Sequence, residues 1–595
     1  MLGLLATGAA HGFINPKFTP TELVRESERI CVAVLERPEP AGVWRSASVS
    51  DIKGRTRPFH LDWTGTSPAE LAGLQALFNT NRATPVLLCS ARTDAGWKAY
   101  LHVGGEWIAA KGNADGVWLV ESRAPQLSGT WAGGTDTLIR QVRYLVAHPG
   151  ERVPVSVGMS WLETQAELGQ LDGAPAGLCT VTLPGHGLCV FAALPTGDRL
   201  FRAKPNDEVF EEVTTSTKLA TRSRHVAWAD LDGDGRLDLA SWDGEIVSLW
   251  RLSTTGVFER ADGGRGFAYP GCCLGLSACA RHRDGAAAIL VSGTTNACLL
   301  RYASSNWEAE VLSVGPDMRA NPCVGSAIVA DLDGDGWWDL LQLQRTSSLL
   351  WKGGAGGFSP PSRCGLAARG NTCRWTLGDF NQDGFLDVFL AGEKSNALWE
   401  NNGQGQFRDV TQAAGSLSYK LPAGVVDCLA ADLNHDGRTD LCLFYAQSTW
   451  LYPFNRGFRC FGEEGELRLP ESEAGQLAGV VGDFNGDGSL DLVVALADGR
   501  LRCHYNHAVE QPMLRLSLKP NRPGPVTVSV WLEGVADASL GAVLVLPPPT
   551  RTVVTLRNKE PVLLKWPVPG RGGRQQVIRL PGEIPIAGVE ALLDP

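Results

Sequence analysis

Asp230-Leu231-Asp232-Gly233-Asp234-Gly235-Arg236-Leu237-Asp238 is one of five copies of a single pattern, Asp-x-Asp/Asn-x-Asp-Gly-x-x-Asp. The other copies begin at Asp331, Asp379, Asp432 and Asp483. Calcium is a hard cation that takes about six to eight oxygen ligands. Side-chain oxygens at positions 1, 3, 5 and 9 can converge on one point if the chain turns sharply between them. Glycine at position 6 (Gly235, Gly336, Gly384, Gly437, Gly488) permits that turn because it tolerates positive φ. Position 7 would offer only its backbone carbonyl, since Arg236, Trp337, Phe385, Arg438 and Ser489 share no side-chain chemistry.

The candidate calcium ligands are therefore Asp230, Asp232, Asp234, Arg236 and Asp238 in the first intact loop, and Asp331, Asp333, Asp335, Trp337 and Asp339 in the second. Asp379, Asn381, Asp383, Phe385 and Asp387 form the third set, and Asp432, Asn434, Asp436, Arg438 and Asp440 the fourth. Asp483, Asn485, Asp487, Ser489 and Asp491 form the fifth. An EF-hand is excluded: its loop closes with a Glu at position 12 between helices, whereas this one closes at position 9 between strand-like flanks such as His225-Val-Ala-Trp-Ala. A polar turn needs one or two such residues, not four at fixed offsets five times over.

The loop starts recur with a period near 50 once two degenerate copies are admitted. Ala280-Arg-His-Arg-Asp284-Gly285 keeps only position 5 and the glycine, and Thr182-Leu-Pro-Gly185-His-Gly187 keeps only glycines. The seven starts are then 182, 230, 280, 331, 379, 432 and 483. An aromatic follows six of them at a near-constant offset: Phe210, Phe258, Trp307, Phe358, Phe407 and Phe458. Leu249-Trp250, Leu350-Trp351 and Leu398-Trp399 mark a third recurring position, read as core between units. A period of this size with several short strands per unit points to a β-propeller. The unit at 230 reads as strands at about 224–230, 237–242, 246–252 and 256–260. The seventh unit lacks its own last strand, and Met159-Ser-Trp-Leu-Glu-Thr164 is expected to supply it, which would remove an exposed edge.

These repeats resemble the FG-GAP/VCBS repeat family, whose blades are similar to those of the integrin α-subunit propeller. The resemblance covers about 175–505. It implies calcium held in the hairpin between the first two strands of a blade, and a role in adhesion or ligand binding. It applies to the five intact loops only, so no metal is expected at 182 or 280.

The expected organisation is mainly β: a possible truncated signal peptide at 1–11, an N-terminal α+β domain at 12–155 that could be a small barrel, a seven-bladed propeller at 156–508 and a C-terminal β-sandwich-like domain at 509–595. In the N-terminal region Ile30–Leu35, Trp44–Ser50, Pro85–Ser90, Lys98–Val103 and Val117–Val120 read as strands. Ser67–Phe78 and Thr135–Val146 read as helices, the first opened by Ser67 and Glu70 at capping-box spacing. Beyond 508, strands are expected near 514–518, 526–531, 542–546, 553–556 and 576–580. The placement resembles that of the ASPIC/UnbV module, whose motifs this segment does not match.

The net charge is −10, and the intact loops alone hold 17 carboxylates. About five calcium ions would bring the charge close to zero, so the acidity is metal-site charge, and with no basic stripe nucleic acid is not an expected partner. No stretch reaches the length of a membrane span. The apolar start Met1–Ala10 and the calcium loops lead to an expected location that is secreted, periplasmic or on the cell surface. Among 15 cysteines, Cys364–Cys373, Cys272 or Cys273 with Cys279, and Cys179–Cys189 are candidate disulfides, with buried thiols as the alternative. No Gly-x-Ser-x-Gly, His-Glu-x-x-His or P-loop is present. His504 and His507 are not expected to bind metal. The functional expectation is a calcium-binding module for an unidentified protein or glycan ligand rather than an enzyme. The rival is a glycan-active enzyme, to be recognised by a cluster of His, Tyr, Arg and carboxylates outside the calcium loops.

Overall fold

The structure is a computed structural model. It describes residues 20–36, 43–64, 66–80, 85–112, 116–125, 127 and 135–147. It then describes 165–506 except 205–207, 270, 281–286, 313–320, 369–372, 382–383, 393–394, 415–416, 418–423, 434–437, 447–450, 453–460, 462–466, 469–474 and 488, and beyond 506 the strands alone. The chain divides into two compact units: residues 1–153 with 412–415 and 456–461, and the remainder.

In the first unit seven strands close into a barrel, in the order Arg29–Glu36, Val43–Lys53, His60–Asp62, Val117–Arg123, Glu106–Gly112, Gly96–Val103 and Pro85–Thr93. Neighbours are antiparallel except His60–Asp62 and Val117–Arg123, which run parallel. Strand alternation separates two cores. Cys31, Ala33, Leu35, Trp44 and Leu61 pack with Leu74 and Phe78 of the helix Pro68–Thr80. Ile30, Leu87 and Cys89 pack with Leu138, Ile139 and Val142 of the helix Thr135–Ala147. The Glu70 amide donates to Ser67 Oγ at 3.4 Å, the capping contact that the spacing called for. The helix Pro20–Glu26 and the strands His60–Asp62 and Glu106–Gly112 had no clear sequence signal.

In the second unit the repeats form seven antiparallel sheets of four main strands. The first runs over Gly177–Leu183, Gly187–Ala193, Arg199–Lys204 and Val209–Glu212. The second comprises His225–Ala229, Asp238–Trp242, Ile246–Leu252 and Phe258–Arg260, with Phe267–Ala268 added beside Ile246–Leu252. The third comprises Cys273–Ala280, Ala287–Gly293, Ala297–Ala303 and Asn306–Leu312, and the fourth Ile328–Ala330, Asp339–Gln342, Leu349–Trp351 and Ser362–Arg363. The fifth holds Cys373–Gly378, Asp387–Gly392, Ala397–Asn401 and Phe407–Asp409, and the sixth Val425–Ala431, Asp440–Tyr445, Leu451–Tyr452 and Leu467–Arg468. The seventh has Gln476–Gly482, Asp491–Leu496 and Arg500–His504, and its fourth strand is Gln165–Gln170. The segment expected to close this sheet, 159–164, lies outside the described residues; the strand that does pair there starts at Gln165, six residues later than Met159.

Consecutive sheets pack face to face through apolar side chains, giving a propeller-like ring. The recurring aromatics are the wedges between them. Phe258 and Trp228 join the first and second sheets, Trp351 and Trp338 the third and fourth, and Phe407 and Trp399 the fourth and fifth. Val190 and Phe201 of the first sheet share a core with Phe484 and Val493 of the seventh. Thr180 Oγ1 donates to the Val481 carbonyl across the same seam at 3.0 Å.

Beyond 506 two sheets are described. Met513–Leu518 lies between Arg551–Thr555 and a parallel Val589–Leu593, and Val526–Leu532 lies between Val543–Leu546 and Val562–Pro567, which pairs in turn with Gln575–Arg579.

The cysteine expectation resolves toward thiols. Cys179, Cys189, Cys272, Cys273, Cys279 and Cys364 are all unpaired thiols. Register explains it. Cys189 stands opposite Val181 while Cys179 stands opposite Phe191, a diagonal too long for a disulfide. Cys273 and Cys279 lie six residues apart on one extended strand, roughly 20 Å.

Candidate metal centres in the repeat loops

Each intact loop joins the first two strands of its sheet, and the same hydrogen bonds recur from loop to loop. The amide at position 2 donates to Oδ2 of the position-9 aspartate in all five. Leu231 reaches Asp238 at 2.9 Å, Leu332 reaches Asp339 at 3.0 Å, and Phe380 reaches Asp387 at 3.2 Å. Leu433 reaches Asp440 at 3.0 Å and Phe484 reaches Asp491 at 2.8 Å. The position-6 amides of Gly235, Gly336 and Gly384 donate to the position-1 carboxylates of Asp230, Asp331 and Asp379 at 2.8, 2.9 and 3.0 Å. These three glycines have φ of 82°, 86° and 93°, the conformation for which glycine was expected.

Two loops bring three carboxylates onto one point. Oxygens of Asp230, Asp232 and Asp238 lie within 4.8 Å of one another, and so do those of Asp331, Asp333 and Asp335. Asp339 and Asp234 stay in these loops but outside the two triads. Burial pushes the carboxyls of Asp238 and Asp339 up to about 8 and that of Asp331 up to about 7, with neighbouring aspartates adding to the effect. Asp491 is also pushed well up by burial. A cation at these points would reverse that penalty.

In the third loop Asp379, Asn381 and Asp387 are buried, and Asp383 lies outside the described residues. In the fourth, Asp440 is buried and Asp432 half-buried, with Asn434 and Asp436 outside. In the fifth, Asp483, Asn485 and Asp491 are buried, and the Asp487 amide donates to Asn485 Oδ1 at 3.0 Å. Position 7 is more than a carbonyl carrier. Arg236 pairs with Asp234 and donates to the Leu252 carbonyl at 2.8 Å. The Phe385 ring covers Gly403, where a Cβ would come within 2.4 Å of it. Arg438 and Ser489 are buried.

Three features escaped the motif. Position 9 is a structural hub: Asp339, Asp387 and Asp491 accept a second amide on Oδ1, from Gly353, Asn401 and Asn506 at 2.8, 2.9 and 2.9 Å. The two loops with Asp at position 3 each carry a cation on that residue, Arg251 with Asp232 at 2.7 Å and Lys352 with Asp333 at 2.8 Å. Each of these cations offsets the charge of the additional aspartate. Finally, Asn401 and Asn506 reach carbonyls of neighbouring loops, which no spacing within one motif reveals.

The donor set fits a hard cation. It is all oxygen, it is anionic, and Asp333 Oδ1 is buried with no hydrogen-bond partner. Away from the loops, the first strands of the second, fifth and sixth sheets carry His225, Arg374 and Asp427, and the Arg374 charge acts on both of the others. Burial, then the Arg374 charge, lowers His225 to about 4, while burial raises Asp427 to about 6 against the opposing pull of Arg374. His225 stacks on Trp242 and Asp427 Oδ2 accepts the Gly479 amide at 3.3 Å.

The FG-GAP-like repeat model matches residues 331–389, 379–443 and 432–494. Cartilage acidic protein 1 of Xenopus tropicalis is 28% identical over 182 residues, covering 28% of this chain and 25% of that protein, so the chain spans about a quarter of its relative's length. Among solved structures, the Agrocybe aegerita lectin that recognises non-reducing terminal N-acetylglucosamine aligns with a TM-score of 0.36 at 16% identity, over 66% of this chain and 96% of the lectin. Saccharomyces cerevisiae Sqt1 aligns with a TM-score of 0.36 at 11% identity, over 58% of this chain and 98% of Sqt1. Residues 331–494, reaching from the fourth sheet into the seventh, are thus similar to FG-GAP-like repeats.

Proposed function

We propose that this chain is a calcium-stabilised, seven-bladed propeller that serves as a binding or scaffold module outside the cytosol. The observation that carries the reading is the convergence of three carboxylates in each of two loops of one geometry, Asp230 and Asp238 among them buried, with oxygen donors only. Bound calcium would supply positive charge to carboxylates whose ionised form burial disfavours. The chain's own part is to hold Asp230, Asp232, Asp238, Asp331 and Asp335 by backbone amides and Asp333 by Lys352, with Asp333 Oδ1 left unpartnered. The FG-GAP-like repeats support an extracellular, periplasmic or cell-surface location, and among the described residues no helix is long and apolar enough to cross a membrane. The partner would be a protein or a glycan. Calcium content of the purified protein, with melting curves in calcium and in EDTA, tests the reading. About five ions per chain and a large calcium-dependent shift are expected; a calcium-free protein with coincident curves would end it.

A second reading, an enzyme active on glycans, draws on the trio His225, Arg374 and Asp427, the kind of cluster that was its stated mark. Turnover of a chromogenic glycoside panel that is abolished by Asp427→Asn would favour it over the binding module.

A further inference from the structure

Asn401 ends the strand Ala397–Asn401 and is fully buried. Its Nδ2 donates to the Leu332 carbonyl at 2.7 Å and to the Leu386 carbonyl at 3.1 Å. Leu332 is position 2 of the loop in the fourth sheet, and Leu386 is position 8 of the loop in the fifth. One amide therefore ties two loops together. Its Oδ1 accepts the Gly403 amide at 3.1 Å and its own amide donates to Asp387, so each polar group is engaged. Asn506 repeats the arrangement one pair further on. It is buried, and its Nδ2 donates to the Leu433 carbonyl at 3.2 Å and to the Leu490 carbonyl at 3.4 Å. These are position 2 of the sixth sheet's loop and position 8 of the seventh's.

The bond falls where it matters for metal binding. The Leu332 carbonyl belongs to the peptide that carries the amide of Asp333, the position-3 ligand. The Leu332 amide is held by Asp339. Both ends of that short stretch are thus fixed, one from its own sheet and one from the next. A buried carbonyl left without its donor is costly, about 1–3 kcal/mol in general.

Among the sheets that carry an intact loop of their own, and leaving aside the sixth, whose residue at this place lies outside the described residues, the residue here tracks the state of the preceding loop. The fifth and seventh sheets follow intact loops and carry Asn401 and Asn506. The second and fourth sheets follow the degenerate loops at 182 and 280. They carry Leu252, whose carbonyl accepts Arg236, and Gly353, which has no side chain to reach back with.

Resting on the calcium reading, we infer that Asn401 and Asn506 are positioning residues that couple the metal loops of neighbouring blades, 331 to 379 and 432 to 483, so that calcium at one loop of a pair raises the affinity of the other. The loop at 230 has degenerate neighbours on both sides and is the uncoupled member.

The test is calorimetric titration of the EDTA-stripped full chain with calcium alone. Asp232→Ala removes the isolated site and leaves the other affinities unchanged. Asp333→Ala removes its own site and also weakens a second site about five- to tenfold, within the usual range for coupled sites. Asn401→Ala weakens two sites together, and adding Asp333→Ala to it weakens no further site. Asp232→Ala and Asp333→Ala with the same consequence, one site lost and four unchanged, would overturn the coupling even if Asn401→Ala fails to fold. An Asn401→Ala protein that folds and keeps the wild-type isotherm would overturn it too. A wild-type chain that takes up no calcium removes the calcium reading itself, and the coupling with it.

Discussion

Asp333→Ala separates metal binding from folding more cleanly than any other change in these loops. Asp331 accepts amides from Asp335 and Gly336, so its loss damages the loop with or without metal. Asp333 Oδ1 has no hydrogen-bond partner, Oδ2 pairs with Lys352, which is partly exposed, and the side chain lies against Asp335. Such a pair is worth about 0–1 kcal/mol. Removing it also relieves repulsion, because Asp333 is among the charges that raise Asp331, Asp335 and Asp339. In EDTA the two effects oppose each other, and the melting temperature should barely move. In calcium the variant loses one site's mass-action stabilisation, about 1.4 kcal/mol for each tenfold excess over Kd. A propeller of about 340 residues has an unfolding entropy near 0.7 kcal/mol/K, so the gap should widen by about 2 °C per decade of calcium. Differential scanning calorimetry of both proteins across three decades of calcium reads that slope directly. Parallel lines, with the same deficit in EDTA as in calcium, would refute the assignment of Asp333 as a ligand.

The buried carboxyls set a pH dependence whose sign reverses with metal. Asp238 and Asp339 are raised to about 8 and Asp331 to about 7, so the calcium-free fold holds their protons more tightly than the unfolded chain. Their contribution is full below about pH 4 and is lost as pH rises through 7 to 8. The melting temperature in EDTA should therefore fall from pH 6 to pH 8, while the calcium-induced rise grows over the same range; a calcium shift independent of pH would contradict this. Phe407→Ala should destabilise the ring by about 3–5 kcal/mol in denaturant titrations, since Phe407 is buried between the fourth and fifth sheets; a loss under 1 kcal/mol would show that the wedge is dispensable. Among the described cysteines, the exposed Cys272 should be alkylated first in the unreduced native protein. Cys179, Cys189 and Cys279, whose thiols burial pushes up to about 12, should react only after unfolding; a failure to react even then would mean they are disulfide-bonded. Gly112→Ala should destabilise the barrel, because a Cβ there comes within 2.3 Å of the Trp118 ring; an unchanged melting temperature would mean that the ring moves aside freely.

The repeat architecture was legible because its signals are local. Four carboxylate or amide side chains within nine residues, a glycine at one offset and an aromatic at another are properties of a short stretch, and the strand positions of the sheet at 230 follow from them within a residue or two. Trp399 was correctly read as core for the same reason: a residue that recurs at one place in each unit faces the same neighbour each time. The barrel was harder. Its strands alternate weakly because both faces are covered, so Glu106–Gly112, with a mostly buried middle, showed no clear period. Cys179–Cys189 failed on register and Cys273–Cys279 on the length of one extended strand, since proximity in sequence sets neither, and the Cys373 side chain of the third candidate lies outside the described residues.

The sequence by itself determined the loops, the period and the oxygen side chains they carry, because the offsets of those side chains and glycine's positive φ are set within a single turn of chain. Only the tertiary structure decided that the position-9 aspartates are buried hubs, that Arg251 and Lys352 neutralise the loops richest in charge, and that Asn401 and Asn506 reach into the next blade's loop. Those contacts join residues 19 to 73 positions apart across a sheet or between sheets. Nothing in a local pattern specifies them, because they exist only once the blades pack side by side.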